Sequence, residues 1–180
     1  MKALIPIAHG SESLETVTLA NVLRRGGVEV TLASIESSRA VQATRGIVLT
    51  ADASWDEVAA RDYNLIALPG GEQGAAALGR HEGLIEKLRR QRNGHKWYGA
   101  ICAAPALVLS PHGLLDGKQA TCYPAFRDKL IHFVNLPVVV DGHCVTSQGP
   151  ATALAFGLKL VEVLCGEAKA REVAQQALAA

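Results

Sequence analysis

Long apolar runs are missing from this chain: Gly, Pro or a charge interrupts each one well before the roughly eighteen residues that a membrane-spanning helix needs. A preponderance of one charge is missing too. Eighteen Lys+Arg stand against seventeen Asp+Glu, a formal net charge of +1, and no basic stretch stands out, so neither nucleic acid nor a membrane surface is an expected partner. Aromatic residues are scarce, with three Phe, three Tyr and two Trp in 180 residues, so the core must be aliphatic. The 49% hydrophobic content suffices for one sizeable core, and residues 1–180 read as a single domain. Paired-cysteine motifs are absent. Cys102, Cys122, Cys144 and Cys165 lack CxxC spacing, and a chain of this size folds without staples, so free thiols are expected. The six His residues are dispersed, with no HxxxH or His-carboxylate cluster, and no metal site is expected. Repeats, low-complexity tracts and long linkers are lacking as well. The opening MKALIPIAHG leads straight into patterned sequence without a small-residue cleavage site. It reads as a core strand, not a signal peptide, and the expected location is the cytoplasm.

What is present is an alternation of strand and helix. Residues 3–7, 28–33, 65–68, 97–101 and 138–140 are short β-rich apolar runs; residues 14–25, 83–91 and 151–164 carry apolar residues at three- and four-residue spacing, and a further helix starts at Glu167. This order predicts an α/β fold: a mostly parallel central sheet covered on both faces. Gly26-Gly27 closes the first helix before VEVTLAS, as at the C-cap of a right-handed crossover. Residues 41–44 and 47–50 flank Arg45-Gly46 and predict a small hairpin beside the main sheet. On the helix from Ala151, Leu154, Leu158, Val161 and Cys165 are assigned to one face.

Ligands in such sheets bind beyond the carboxyl ends of the strands, which directs attention to three loops. Cys102 follows an apolar strand and precedes Ala103, Ala104, Pro105 and ALVL, placing its sulfur on a sharp strand-to-helix turn, a nucleophile elbow. The N-terminus of the helix behind it should lower the thiol pKa. The alternative is a buried cysteine acting as a small hydrophobe. Gly70-Gly71 either makes a tight turn or frees backbone amides, so that Gly71 and Ala103 N–H form an oxyanion hole. Glu15, one step inside the first helix, is either a carboxyl protonated opposite the sulfur or an ordinary first-turn acid. Glu12 reads as a cap or a pocket-wall contact. His9 is a weak candidate base, more at home as a surface residue. Packing is the reading for Cys122, Cys144 and Cys165.

LETV around Glu15, RRGGVEVTLAS, LPGG, AICAAP at Cys102, YPAFRDKL and VTSQGPATALAFGLKLVEVLCG together resemble the ThiJ/PfpI superfamily, in the branch of the Parkinsonism-associated deglycase and its bacterial YajL-like relatives. The resemblance implies a flavodoxin-like three-layer sandwich, a homodimer to which Leu14, Val17 and Val22 could contribute apolar surface, and a pocket in which Glu15 hydrogen-bonds an easily oxidised Cys102. It further implies that Arg25 and Arg45 reach the partner's pocket, unless they are solvated surface charges. Tyr123 stands where eukaryotic members carry a His near the sulfur, and Ala103 replaces the His that marks the protease-like branch, so a Cys-His peptidase lacks its base. The implied activity is cofactor-independent conversion of methylglyoxal and related 2-oxoaldehydes, or of their early adducts, by Cys102 and Glu15. The competing expectation is a protective protein or chaperone switched by oxidation of Cys102.

Overall fold

The computed structural model describes residues 1–179. Strand β1 (Lys2–Ile7) runs into helix α1 (Ser13–Arg25), which returns to β2 (Glu29–Ser34). β3 (Ala40–Gln42) and β4 (Val48–Thr50) form the separate antiparallel hairpin expected around Arg45-Gly46. Short β5 (Ala53–Ser54) and α2 (Trp55–Val58) lead to β6 (Leu65–Leu68), α3 (Glu72–Arg80), α4 (Glu82–Asn93) and β7 (Trp97–Ile101). After a long stretch of short turns come β8 (Val138–Asp141), β9 (Cys144–Ser147), α5 (Ala153–Cys165) and α6 (Glu167–Gln176).

The main sheet has seven strands in the order β5-β2-β1-β6-β7-β9-β8. All neighbours are parallel except β8 and β9. Side chains alternate between its faces. Leu4, Ile66, Leu68, Tyr98 and Ala100 join α3 and α4 residues Ala75, Leu78, Leu84 and Leu88 in one core. Ala3, Ile5, Ile7, Leu65, Ala67 and Ile101 meet Leu19, Leu23, Phe156, Leu160 and Val173 of α1, α5 and α6 in the other. The result is the expected α/β architecture of helices on both faces of a mostly parallel sheet.

Residues 138–140 form the expected strand, at the antiparallel edge of the sheet, whereas the sequence pattern misses β9 in residues 144–147, the parallel neighbour of β7. The two-residue turn Gly142-His143, with Gly142 at φ +58, joins β8 to β9. On α5 the buried stripe is Ala153, Phe156, Gly157, Leu160, Val161 and Leu164, while Leu154 and Leu158 are half-buried and Cys165 is exposed. The bulky Phe156 and the close approach of Gly157 to Val22 choose that face: a Cβ on Gly157 would sit 3.0 Å from the Val22 side chain. Val22 is thereby buried, whereas Leu14 and Val17 remain exposed.

Candidate active site

β7 ends at Ile101, and at Cys102 the chain turns sharply with φ +64, a conformation that a side-chain-bearing residue adopts only when its surroundings enforce it. Two backbone hydrogen bonds do so: Cys102 N–H donates to Ser147 O at 3.0 Å, and Cys102 O accepts from Tyr123 N–H at 2.8 Å. Beyond it, Pro105–Leu109 wind as one π-helical turn and Ser110–His112 as a 3-10 turn.

Glu15 reaches this turn from α1. Glu12 caps that helix, its Oε1 accepting from Leu14 N–H at 3.3 Å and its Oε2 from Thr44 Oγ1 at 2.9 Å. Ser13 N–H donates to Thr44 Oγ1 at 3.1 Å, so the β3-β4 hairpin pins the first turn of α1 and with it the buried Glu15 side chain. Glu15 Oε2 accepts from Gly70 N–H at 2.7 Å. A Cβ on Gly70 would lie 2.5 Å from Cys102 Cβ, 2.8 Å from Glu15 Oε2 and 3.0 Å from Cys102 Sγ. Carboxyl and sulfur thus close over one Cα that has room for no side chain. Gly71, at φ +80, has a separate reason to be glycine, because a Cβ there would meet Gly10 O at 2.2 Å.

The carboxyl and the thiol shift each other's titration. Burial raises Glu15 to about 7; the Gly70 N–H and the Cys102 thiol pull it back down, and Glu12 pushes it slightly up. Glu15 Oε1 is buried without a hydrogen-bond partner among the described residues, an arrangement that penalises the anion. Burial also raises Cys102, to about 12, with the Glu15 charge adding to the rise; the Gly71 N–H opposes it, and the Ala103 N–H does so more weakly. This overturns the expectation of a lowered thiol. Desolvation and the facing carboxylate outweigh two amides and a single short helical turn. Of the two proton positions open to the singly protonated pair, thiol with carboxylate is favoured at rest, and thiolate with carboxylic acid is reached by one proton transfer between them. The amides of Gly71 and Ala103 are directed at the sulfur itself.

Tyr123 adjoins the turn through its N–H bond to Cys102 O, with its side chain 45% exposed. Arg25 and Arg45 are not brought to this sulfur within the chain. Arg25 lies roughly 15 Å along α1 from Glu15 at the usual helical rise, its Nε donating to Asn21 Oδ1 at 2.8 Å. Arg45, at φ +60, lines an open cavity of about 580 Å³ with His9, Gln42, Glu72 and Gln73. His9 Nδ1 accepts from Gln42 N–H at 3.0 Å and so latches the hairpin. Cys122 and Cys144 are buried, their thiols pushed up by burial to about 11 and about 12. Among the described residues no group of three or more His, Cys, Asp or Glu converges as a metal site, and no helix is long and apolar enough to cross a membrane.

Sequence reasoning passed over Thr44, which anchors the Glu15 helix, and Ser147, whose carbonyl sets the Cys102 turn. Both belong to segments brought in from far along the chain. The available signals were the turn pairs Arg45-Gly46 and Gly142-His143.

A profile of the DJ-1/PfpI family matches residues 1–163. The chain is 44% identical over 177 residues to protein DJ-1 homolog B of Arabidopsis thaliana, covering 97% of this chain and 40% of that protein. It spans less than half the length of the two Arabidopsis relatives it matches. It is 32% identical over 163 residues to the Caenorhabditis elegans glutathione-independent glyoxalase DJR-1.2, covering 88% and 86% of the two chains. The solved structure of oxidized Toxoplasma gondii DJ-1 superposes with a TM-score of 0.98 at 40% identity, covering 99% of this chain and 98% of that one.

Proposed function

The chain belongs to the DJ-1/PfpI family, and from that premise we propose that it is a cofactor-independent glyoxalase that converts methylglyoxal and related 2-oxoaldehydes, free or released from early adducts, into 2-hydroxy acids. The observation that carries this reading is the convergence of Cys102 Sγ and Glu15 Oε2 on the bare Cα of Gly70. A neutral thiol beside a carboxylate of raised pKa is set for concerted work: Glu15 takes the thiol proton as sulfur attacks the aldehyde carbon. The new alkoxide, accepting hydrogen bonds from Gly71 and Ala103 N–H, takes that proton from Glu15, giving a neutral hemithioacetal. Glu15, again a carboxylate, then removes the C1 hydrogen, and the electron pair moves to form an enediol with C2. Reprotonation at C2 leaves a thioester on Cys102, so that C1 has been oxidised and C2 reduced without an external oxidant. Water cleaves the thioester, returning the thiol and releasing the hydroxy acid. The name of the nematode relative, a glutathione-independent glyoxalase, supports the same chemistry.

As part of the same reading the chain acts as one domain, in the cytoplasm, as a homodimer that brings Arg25 and Arg45 to the partner's pocket; the exposed Leu14 and Val17 on α1 support such a contact. The YajL-like branch remains the suspected subgroup. A second reading is favoured by the two amides aimed at Sγ and by the oxidized state named for the Toxoplasma relative: oxidation of Cys102 switches a protective or chaperone role. Lactate formation from methylglyoxal separates the two. Many turnovers per chain, lost in Cys102→Ser and reduced about a hundredfold or more in Glu15→Gln, support the enzyme; turnover persisting in Cys102→Ser removes this pocket from the chemistry.

A further inference from the structure

Charge that balances over the whole chain does not balance over residues 87–96, where Lys87, Arg89, Arg90, Arg92 and Lys96 occur with no Asp or Glu. Arg92 is used by the fold, its guanidinium donating to Gly113 O and Asp116 O. Lys87, Arg90 and Lys96 instead line a small cavity of about 90 Å³, together with Asp62, Tyr63 and Gln91. The cavity lies before the amino ends of β6 and β7, whereas Cys102 follows the carboxyl end of β7, roughly 20 Å from Lys96 at the usual strand rise. Its walls are tied together. Gln91 Nε2 donates to Tyr63 O at 3.1 Å and to Trp97 O at 2.9 Å. Lys87 Nζ donates to Ala59 O at 2.9 Å and to Arg61 O, and stands 5.4 Å from the centroid of the Tyr63 ring. The third N–H of that ammonium has no oxygen partner among the described residues.

Three cations thus surround one small space against a single lining carboxylate. Burial pushes Lys87 below its ordinary value; Asp62 opposes this, and Arg90 and Lys96 add to it. The carboxylates near these cations are loosely engaged. Asp62, its side chain 94% exposed, stands 3.5 Å from Lys96 Nζ, and the Arg90–Glu86 pair lies on the open surface, where ion pairs contribute little. An anion placed among the three cations would replace their mutual repulsion by attraction. We propose that this cavity binds a phosphate group through Lys87, Arg90 and Lys96. A tetrahedral oxyanion turns separate oxygens toward cations on different walls, and a guanidinium meets two of them side by side. A volume of about 90 Å³ is far below the roughly 300–1,000 Å³ that small organic ligands fill. It therefore takes free phosphate, or the end of a phosphomonoester whose remainder stays in solvent. The site is independent of the chemistry assigned to Cys102.

The test is calorimetric titration of the full chain with inorganic phosphate in about 0.1 M sodium chloride, which screens loosely held ions. The wild type should show one saturable site per chain. The double variant Arg90→Gln/Lys96→Gln, whose altered side chains reach solvent, should bind phosphate roughly tenfold or more weakly, and Lys87→Gln should do the same. Lys169→Gln/Arg171→Gln on α6, a matched loss of two exposed cations, should bind as the wild type does. In NMR titrations the Lys87 ammonium should lose its proton at higher pH with phosphate present than with chloride alone. Glycerol 3-phosphate that displaces phosphate identifies a phosphomonoester site, and glycerol 3-phosphate that fails to displace it identifies a site for the free ion; both support the assignment. No saturable binding by the wild type, full binding by Arg90→Gln/Lys96→Gln, equal weakening by the α6 variant, or a Lys87 titration that phosphate does not move overturns it.

Discussion

Replacing Gly70 by alanine probes the site where carboxyl and sulfur converge. The added Cβ would stand 2.5 Å from Cys102 Cβ and 2.8 Å from Glu15 Oε2, whereas carbon atoms settle at about 3.5–4.0 Å, so Cys102 must retreat by about 1 Å. Nothing nearby gives way easily. Cys102 is tied at both backbone ends, to Ser147 O and Tyr123 N–H, and Glu15 is held by Gly70 N–H and by the capped first turn of α1. Overpacking of this kind costs about 1–3 kcal/mol of stability, which leaves the protein folded. Misplacing the reacting groups by about 1 Å costs about a hundredfold in rate. Gly70→Ala should therefore unfold at modestly lower urea concentration and convert methylglyoxal to lactate about a hundredfold more slowly. Turnover within twofold of wild type in the folded variant would refute the claim that Cys102 and Glu15 act through contact over Gly70.

Glu15 makes stability and activity respond to pH in opposite directions. Its folded pKa of about 7 lies above the ordinary 4.5, so the native state binds the extra proton. Its contribution is fully present below pH 4.5 and is lost as pH rises through 7, by at most about 3 kcal/mol; urea unfolding of wild type should weaken between pH 5 and 8, and Glu15→Gln should lose that slope. Because the carboxylate is the form that accepts the thiol proton, kcat/KM should rise through pH 7 to a plateau, and a flat profile from pH 6 to 8.5 would count against a general base here. Iodoacetamide at pH 7.5 should label exposed Cys165 and spare buried Cys122 and Cys144, with labelling of Cys102 climbing as pH is raised; peptide mass spectrometry reads all four, and native modification of Cys122 or Cys144 would contradict their burial. Phe156, fully buried between α5 and the sheet, should cost about 3–5 kcal/mol on truncation to alanine, measured as a lower unfolding midpoint.

Local pattern was enough to reveal the alternating elements and to single out Cys102, the glycines at 70 and 71, and the acid at 15 as candidates, each beside a plain structural alternative, because each leaves a mark within a few residues: an apolar run followed by small residues, a Gly-Gly pair, a carboxyl in a first turn. The hairpin around Arg45 was legible for the same reason. Tertiary structure alone decided the rest. The sign of the Cys102 shift depends on how much solvent the fold removes and on a carboxylate from residue 15, neither of which a strand-to-helix turn reveals by itself. The buried face of α5 was settled by Phe156 and by the approach of Gly157 to Val22, and an apolar pattern that nearly encircles the helix does not select between faces. The parallel strand β9 was concealed because its pairing with β7 spans residues 98–101 and 144–147, and register between distant segments is set by what the sheet already holds, not by either segment alone.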